Sequence, residues 1–320
     1  MSELRFNPIL REWVITATHR QERPLLVSEE DSKKSCPFCV PAEEVPEPYS
    51  MVCLPNRFPS LHLQPPQPGI KGDDFYKVLP SQGAAEVVLY SSDHKTTLSQ
   101  QSVRKITSLI SLWQERYRVL GRKKFVRYVF IFENKGEVIG VTMPHPHGQI
   151  YAFPFIPPVI ERELSSSESY LREEGRCIHC EVIKKEKEEG RRIISENKDF
   201  LAFIPFYARW PYEVHIYPQR HILSLSEFEE EEKGSLAEIL KVVLSRYDHL
   251  FNFSFPYVMV IHQSPTDEKD YSYYHFHLEF YPPHRSAQKI KYLAGSESGA
   301  GTFINDTSAE EKAKELRSAI

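Results

Sequence analysis

The sequence predicts an α+β protein of two related halves, each an antiparallel sheet with one long helix. Three observations carry this. First, EVVLYSSDH at 86–94 is echoed by EVHIYPQRH at 213–221, an offset of 127 residues. Second, Arg116-Tyr117 recurs as Arg246-Tyr247 at an offset of 130, and that offset also carries His145 onto His275 and His147 onto His277. Third, the segments between these marks have matching periodicities.

Taken in order, the first half covers residues 1–160. Val103, Ile106, Leu109, Ile110, Trp113, Tyr117 and Leu120 recur at helical spacing and predict a helix over 103–120. The β-rich run FVRYVFIF follows at 125–132. The polar stretch Glu161–Glu174 reads as a connection, and the second half occupies the rest of 161–320. There Leu236, Ile239, Leu240, Val243, Tyr247 and Leu250 predict a helix over 236–250, followed by the strand-like YVMVI at 257–261. The charge runs at 184–192 and 227–233 read as solvated turns or helix faces.

Composition narrows the function. The 320 residues are 41% hydrophobic with a net charge of −4, enough apolar material for a substantial core. A near-neutral acidic balance excludes the basic face of a nucleic-acid or membrane-surface binder. No apolar run is long enough to span a bilayer, and the opening MSELRFNPIL lacks the order of a signal peptide. A cytoplasmic protein is therefore expected, with reduced thiols. Four of the five cysteines fall in two C-x-x-C pairs, Cys36–Cys39 and Cys177–Cys180. Two such pairs in one reduced chain favour metal over a redox role.

The densest chemistry lies at Met143-Pro144-His145-Pro146-His147-Gly148-Gln149. In an extended backbone, residues two apart share a side, so His145, His147 and Gln149 are expected on one face. A lone histidine would read as a satisfied core residue. Two histidines and a glutamine in a Pro/Gly frame point to catalysis, with imidazole as a nucleophile that is neutral near pH 7. The His145 carbonyl is expected to hold the His147 ring in one tautomer, and to be fixed itself if His145 ligates metal. Gln149 can donate to a phosphoryl oxygen but cannot deliver a proton, which suits transfer between two phosphates.

RFNPILREWVITATHRQERP near the start, FENKG at 132–136, GVTMPHPHGQIYAFPFIPP at 140–158, RYDHLF with FSFPY, and EFYPPHRSA resemble, in that order, the galactose-1-phosphate uridylyltransferase family, a branch of the histidine-triad superfamily. The resemblance covers nearly the whole chain. It implies two histidine-triad-like halves, the first catalytic and the second a non-catalytic copy in which His277 and Glu279 replace His147 and Gln149. It implies a ping-pong transfer of UMP from UDP-glucose to galactose 1-phosphate through uridylyl-His147, in a cytoplasmic homodimer. It places Arg20 and Arg23 near the nucleotide phosphates, Asn56 and Phe58 at the uracil and ribose, and Asn134, Gly140 and Thr142 at the phosphates. Lys291 and Glu297 match positions that contact the sugar phosphate and sugar hydroxyls. Two zinc sites per chain follow: Cys36, Cys39, His94 and His145, then Cys177, Cys180, His221 and His275. Iron is possible at the second, where Glu163 and His262 occupy positions that some relatives use.

The chain departs from that pattern in places. Arg57 stands where an aspartate beside the base is usual, and Ser296 and Phe303 replace an aromatic and a glutamine near the hexose phosphate. The segment LAGSESGAGTFIND and the second cysteine pair look like those of an ADP-glucose phosphorylase. An ADP-sugar phosphorylase or adenylyltransferase is therefore the alternative enzyme. A zinc-stapled nucleotide-binding protein without turnover is the alternative of another class, and it would not need the complete HPHGQ.

Overall fold

The computed structural model describes residues 1–22 and 36–319. Strands β1 (Ser2–Asn7), β2 (Glu12–Ala17), β3 (Val52–Pro55), β4 (Val78–Pro80) and β5 (Ala84–Leu89) lead into helix α1 (Val103–Gly121). Then come β6 (Tyr128–Lys135), β7 (His147–Phe153), α2 (Pro158–Glu174) and α3 (Ile178–Glu189). The second half continues with β8 (Ile193–Glu196), β9 (Phe200–Phe203), β10 (Val214–Pro218), α4 (Glu230–Leu250), β11 (Tyr257–His262) and β12 (His277–Tyr281). The short pair β13 (His284–Ser286) and β14 (Lys289–Ile290), then α5 (Gly295–Ala300) and α6 (Ala309–Ser318), close the chain.

The expected duplication is present in the topology. Nine strands form one antiparallel sheet in the order β3-β5-β7-β6-β11-β12-β10-β9-β8. Read outward from the middle, β6-β7-β5-β3 and β11-β12-β10-β9 are the same sequence of equivalent strands, and α1 and α4 occupy equivalent connections. The halves do not keep separate sheets. They fuse where β6 pairs with β11, from Lys135 opposite Tyr257 to Ile131 opposite Ile261. The first half adds a small sheet, β2-β1-β4.

Both long helices arise as the apolar spacing predicts. In α1, Ile106, Leu109, Ile110, Trp113, Tyr117 and Leu120 are buried, and Ser102 caps the start by accepting the Lys105 N–H. In α4, Leu236, Ile239, Leu240, Val243, Leu244 and Tyr247 are buried. That helix begins at Glu230, earlier than the apolar pattern indicates, because acidic residues favour a first turn. Glu230, Glu231 and Glu232 sit against its positive end, and Glu232 accepts the Glu229 N–H at 2.8 Å. The two helices pack on each other, so one core spans both halves, from Val88, Trp113 and Ile150 to Ile216, Leu240 and Phe276.

Two polar stretches gain definite structure. The stretch 161–174, read as a connection, is helical: it lies in α2, which starts on Pro158 and stops at Gly175 in the left-handed conformation, φ +69°. Its apolar face is short, Ile160 and Leu164 with Ser167, and too sparse to show a clear period. The run 184–192 is not solvated throughout. Arg192 is 2% exposed, bonding Glu186 at 2.8 Å, Glu189 at 2.9 Å and Glu310 at 2.7 Å.

Candidate active site

Strand β7 builds the site by alternation. Gly148, Ile150 and Ala152 point into the core, while His147, Gln149 and Tyr151 are half-buried on the opposite face. Two cavities meet there. One, of about 310 Å³, is bounded by Phe38, Asn56, Phe58, Val87, His147 and Gln149, among others. The other, of about 250 Å³, is bounded by Arg20, Asn134, Gly140, Thr142, His147, Gln149 and Tyr151, among others. Gly140 ends the turn that carries Thr142 into this wall. It has φ +83°, where a side chain would be strained.

The His147 ring is oriented by its own chain. Its Nδ1–H donates to the His145 carbonyl at 2.8 Å, and a carbonyl can only accept, so this tautomer has its lone pair on Nε2. His145 does not share the cavity with His147. It precedes the strand, is fully buried, and turns its ring into a cysteine cluster. The expectation of both rings on one face therefore fails, because extended alternation starts only at residue 147.

His145 Nδ1 faces Cys36 Sγ at 3.8 Å and Cys39 Sγ at 3.6 Å, and Cys39 Sγ lies 3.2 Å from His94 Nδ1. The four ligand atoms lie within 4.8 Å of one another, the span expected around a tetrahedral ion. The other ring nitrogen, Nε2–H, donates to the Ser91 carbonyl at 2.9 Å, with the Tyr49 hydroxyl at 3.0 Å. That leaves Nδ1 as the donor to a metal. Burial pushes His145 down to about 4 and the Cys36 thiol up to about 12. The imidazole is thus neutral, as a ligand must be, and the buried thiol becomes a thiolate only with a cation beside it.

The second half repeats this arrangement. Cys177, Cys180, His221 and His275 converge, with Cys180 Sγ 3.4 Å from His221 Nδ1 and 3.5 Å from His275 Nδ1. His275 Nε2–H donates to the Pro218 carbonyl at 3.2 Å. His277 Nδ1–H donates to the His275 carbonyl at 3.0 Å, as in the first half. Here the likeness stops. Phe276 and Leu278 stand where the first half has Pro146 and Gly148, and His277 is 1% exposed with its ring stacked on Tyr217 at 4.7 Å. His277 is thus enclosed, whereas His147 opens onto both cavities.

Glu163 and His262 do not join the cysteine site. They group with His277 and Glu279. Glu163 accepts from His262 at 3.1 Å and from the Tyr274 hydroxyl at 2.6 Å. Glu279 faces His215 at 3.2 Å and Arg209 at 3.3 Å.

Arg20 lines the second cavity and donates to the Phe58 carbonyl at 3.1 Å. Arg23 lies outside the described residues. Asn56 turns its Oδ1 onto the Phe58 N–H at 2.9 Å, shaping the loop at the first cavity. Lys291 and Glu297 bond each other at 2.9 Å and line neither cavity. Phe38, Tyr49 and Glu44 are among the residues at the site that the sequence does not single out. Phe38 contacts both the His145 and His147 rings, with centroids 5.9 and 5.8 Å away, and its place between two metal-spaced cysteines was a usable signal. Tyr49 and Glu44 carry no periodicity or motif.

Family models complete the picture. The galactose-1-phosphate uridyl transferase N-terminal domain matches residues 1–157 and the C-terminal domain residues 163–320. This chain belongs to the galactose-1-phosphate uridylyltransferase family. It is 46% identical to the galactose-1-phosphate uridylyltransferase of Thermotoga maritima, over 99% of this chain and 98% of that protein. It is 34% identical to the enzyme of the same name from Haemophilus influenzae, over 98% and 93%. A solved uridylyltransferase structure superposes with a TM-score of 0.89 at 36% identity, covering 99% of this chain and 98% of that one. An ADP-glucose phosphorylase from Arabidopsis thaliana superposes at 0.75 with 25% identity, covering 99% and 98%. Among the described residues no helix is long and apolar enough to cross a membrane.

Proposed function

We propose that this family member transfers UMP from UDP-glucose to galactose 1-phosphate, and does so in two displacements on His147. The observation that carries the mechanism is the 2.8 Å bond from His147 Nδ1 to the His145 carbonyl, made at the junction of two cavities. Nε2 attacks the α-phosphorus, the bond to the bridging oxygen breaks, and glucose 1-phosphate leaves. The carbonyl of His145 stabilises the cationic ring that results. A phosphate oxygen of galactose 1-phosphate then attacks the same phosphorus, the P–N bond breaks, and UDP-galactose leaves with His147 restored. Gln149 donates to the phosphoryl oxygen, and Arg20, Asn134, Gly140 and Thr142 receive the phosphates; Arg23, outside the described residues, has the same proposed role. Phe58 and Asn56 bound the nucleoside end.

Zinc fits both Cys/His sets, since two thiolates and two imidazoles favour it over iron. Its part is structural: it fixes His145 and so the carbonyl behind the nucleophile. Lys291 and Glu297 line neither cavity, and in a homodimer a second copy of the chain would bring them to the hexose phosphate. The family's UDP-glucose chemistry is preferred to adenylyl transfer because the 46% identical relative is a uridylyltransferase and the phosphorylase is at 25%. Initial rates with both substrates varied test the mechanism. Parallel double-reciprocal lines are expected, and intersecting lines would show direct transfer between substrates.

A further inference from the structure

The first cavity combines apolar surfaces with charged side chains. Phe38, Phe58, Val87 and Met143 offer flat, non-polar surfaces with no hydrogen-bonding side-chain groups beyond the Met143 thioether. Glu44 and Arg57 line it too, and Glu44 is the only carboxylate among the lining residues. Its side chain is 17% exposed, whereas that of its neighbour Glu43 is 79% exposed and outside the lining. Arg57 bonds Glu43 at 3.0 Å but reaches Glu44 only at 3.8 Å. Glu44 thus lines the cavity beside a guanidinium that is more tightly bonded to Glu43. Burial pushes this carboxyl above the usual range, with Arg57 opposing, so a donor arriving from a ligand has a real effect on it.

We propose that Glu44, held by Arg57, is a specificity-determining residue that accepts the hydroxyls of the nucleotide's ribose. The inference rests on a nucleotide occupying the cavity at His147. A carboxylate only accepts, and its two oxygens match two adjacent O–H donors. On the nucleoside side of the α-phosphorus the ribose 2′ and 3′ positions are the one place with two adjacent hydroxyl donors, and the hexose hydroxyls of a sugar nucleotide lie on the other side of it. The edge of uracil is a poor match, because its single N–H lies between two carbonyls that a carboxylate repels. The base instead takes the apolar walls, and His147 with Gln149 marks the phosphorus end.

The test compares formation of the nucleotidyl-protein from UDP-glucose, 2′-deoxy-UDP-glucose and ADP-glucose, each as kcat/KM. The native enzyme should prefer the ribose donor over the deoxyribose donor by about ten- to a hundredfold, the usual worth of a hydrogen bond to a charged group. Glu44→Ala should bring that ratio to within about threefold, chiefly by lowering the UDP-glucose value. Glu44→Gln, which keeps shape and one acceptor, should fall between. Glu43→Ala should leave the ratio within about twofold, as for an exposed ion pair. Metal content equal to the native value checks the fold of each variant. Equal loss on ribose and deoxyribose donors would overturn the proposal. So would an altered uridine-to-adenosine ratio with an unchanged deoxy ratio, which would mean that Glu44 reads the base. If the native protein takes no nucleotide from any donor, the His147 reading fails instead.

Discussion

At the scale of single residues, three neighbours differ in what each touches. His147→Ala removes the proposed carrier of the nucleotide, so both half-reactions should fall on the order of several powers of ten while metal content stays native. His145→Ala should lose metal and thermal stability along with activity, since its Nδ1 faces the cysteines. Gln149→Ala should raise the barrier by roughly 3 kcal/mol, the worth of one oxyanion donor. If His147→Ala and His145→Ala both lost metal, the division of labour would be wrong. A second test uses pH. Glu133 is fully buried, which pushes its carboxyl up to about 7, although it accepts from Tyr90 at 3.1 Å and Tyr257 at 2.9 Å. A folded-state pKa above the unfolded value means that stability is fullest at low pH and is lost as pH rises from about 4.5 towards 7. Glu133→Gln should therefore be more stable relative to native at pH 8 than at pH 5, by about 1.4 kcal/mol for each pH unit between 5 and the folded-state pKa. Denaturant curves at both pH values check this, and a pH-independent difference would contradict it. The histidine pair, the glutamine and both cysteine pairs were legible because chemistry fixes their spacing. Glu44, Tyr49 and Glu133 were not, because their significance lies in what the fold brings beside them.

At the scale of elements, apolar periodicity found α1 and α4, and registered repeats found the equivalent strands. It missed α2 and the buried end of the 184–192 run, where few apolar residues face the core. Arg192 shows the reason: charges spaced like a solvated turn were closed into a network by Glu310, from a helix over a hundred residues away. Arg192→Ala leaves Glu186, 3% exposed, buried without its partner. It should cost about 3–5 kcal/mol of unfolding free energy, whereas a combined Arg192→Met and Glu186→Leu change should cost much less. A double-mutant cycle by urea denaturation decides, and equal losses would mean that the network is not acting as a buried ion pair.

At the scale of the whole molecule, sequence reasoning gave two halves but not their fusion, since the β6–β11 seam joins strands with no mutual sequence signal. One core and cross-half bonds such as Gln114 Nε2 to the Leu225 carbonyl at 2.8 Å tie the halves together. Elemental analysis should find about two metals per chain, one in each closed four-ligand set. The Glu163–His262–His277–Glu279 group, whose carboxylates already bond His262 and Arg209, is expected to stay without one. Cys177→Ser should lose one metal and lower the temperature of a single unfolding transition, and a count of three would contradict this account. The central claim is that the nucleotide passes through His147, and trapping tests it most directly. UDP-glucose labelled in the α-phosphate is mixed with protein in the absence of acceptor. The label should become acid-labile and base-stable on the peptide containing residues 143–149, and galactose 1-phosphate should discharge it into UDP-galactose. Label on another peptide, or none on protein that still turns over with both substrates, would contradict the mechanism.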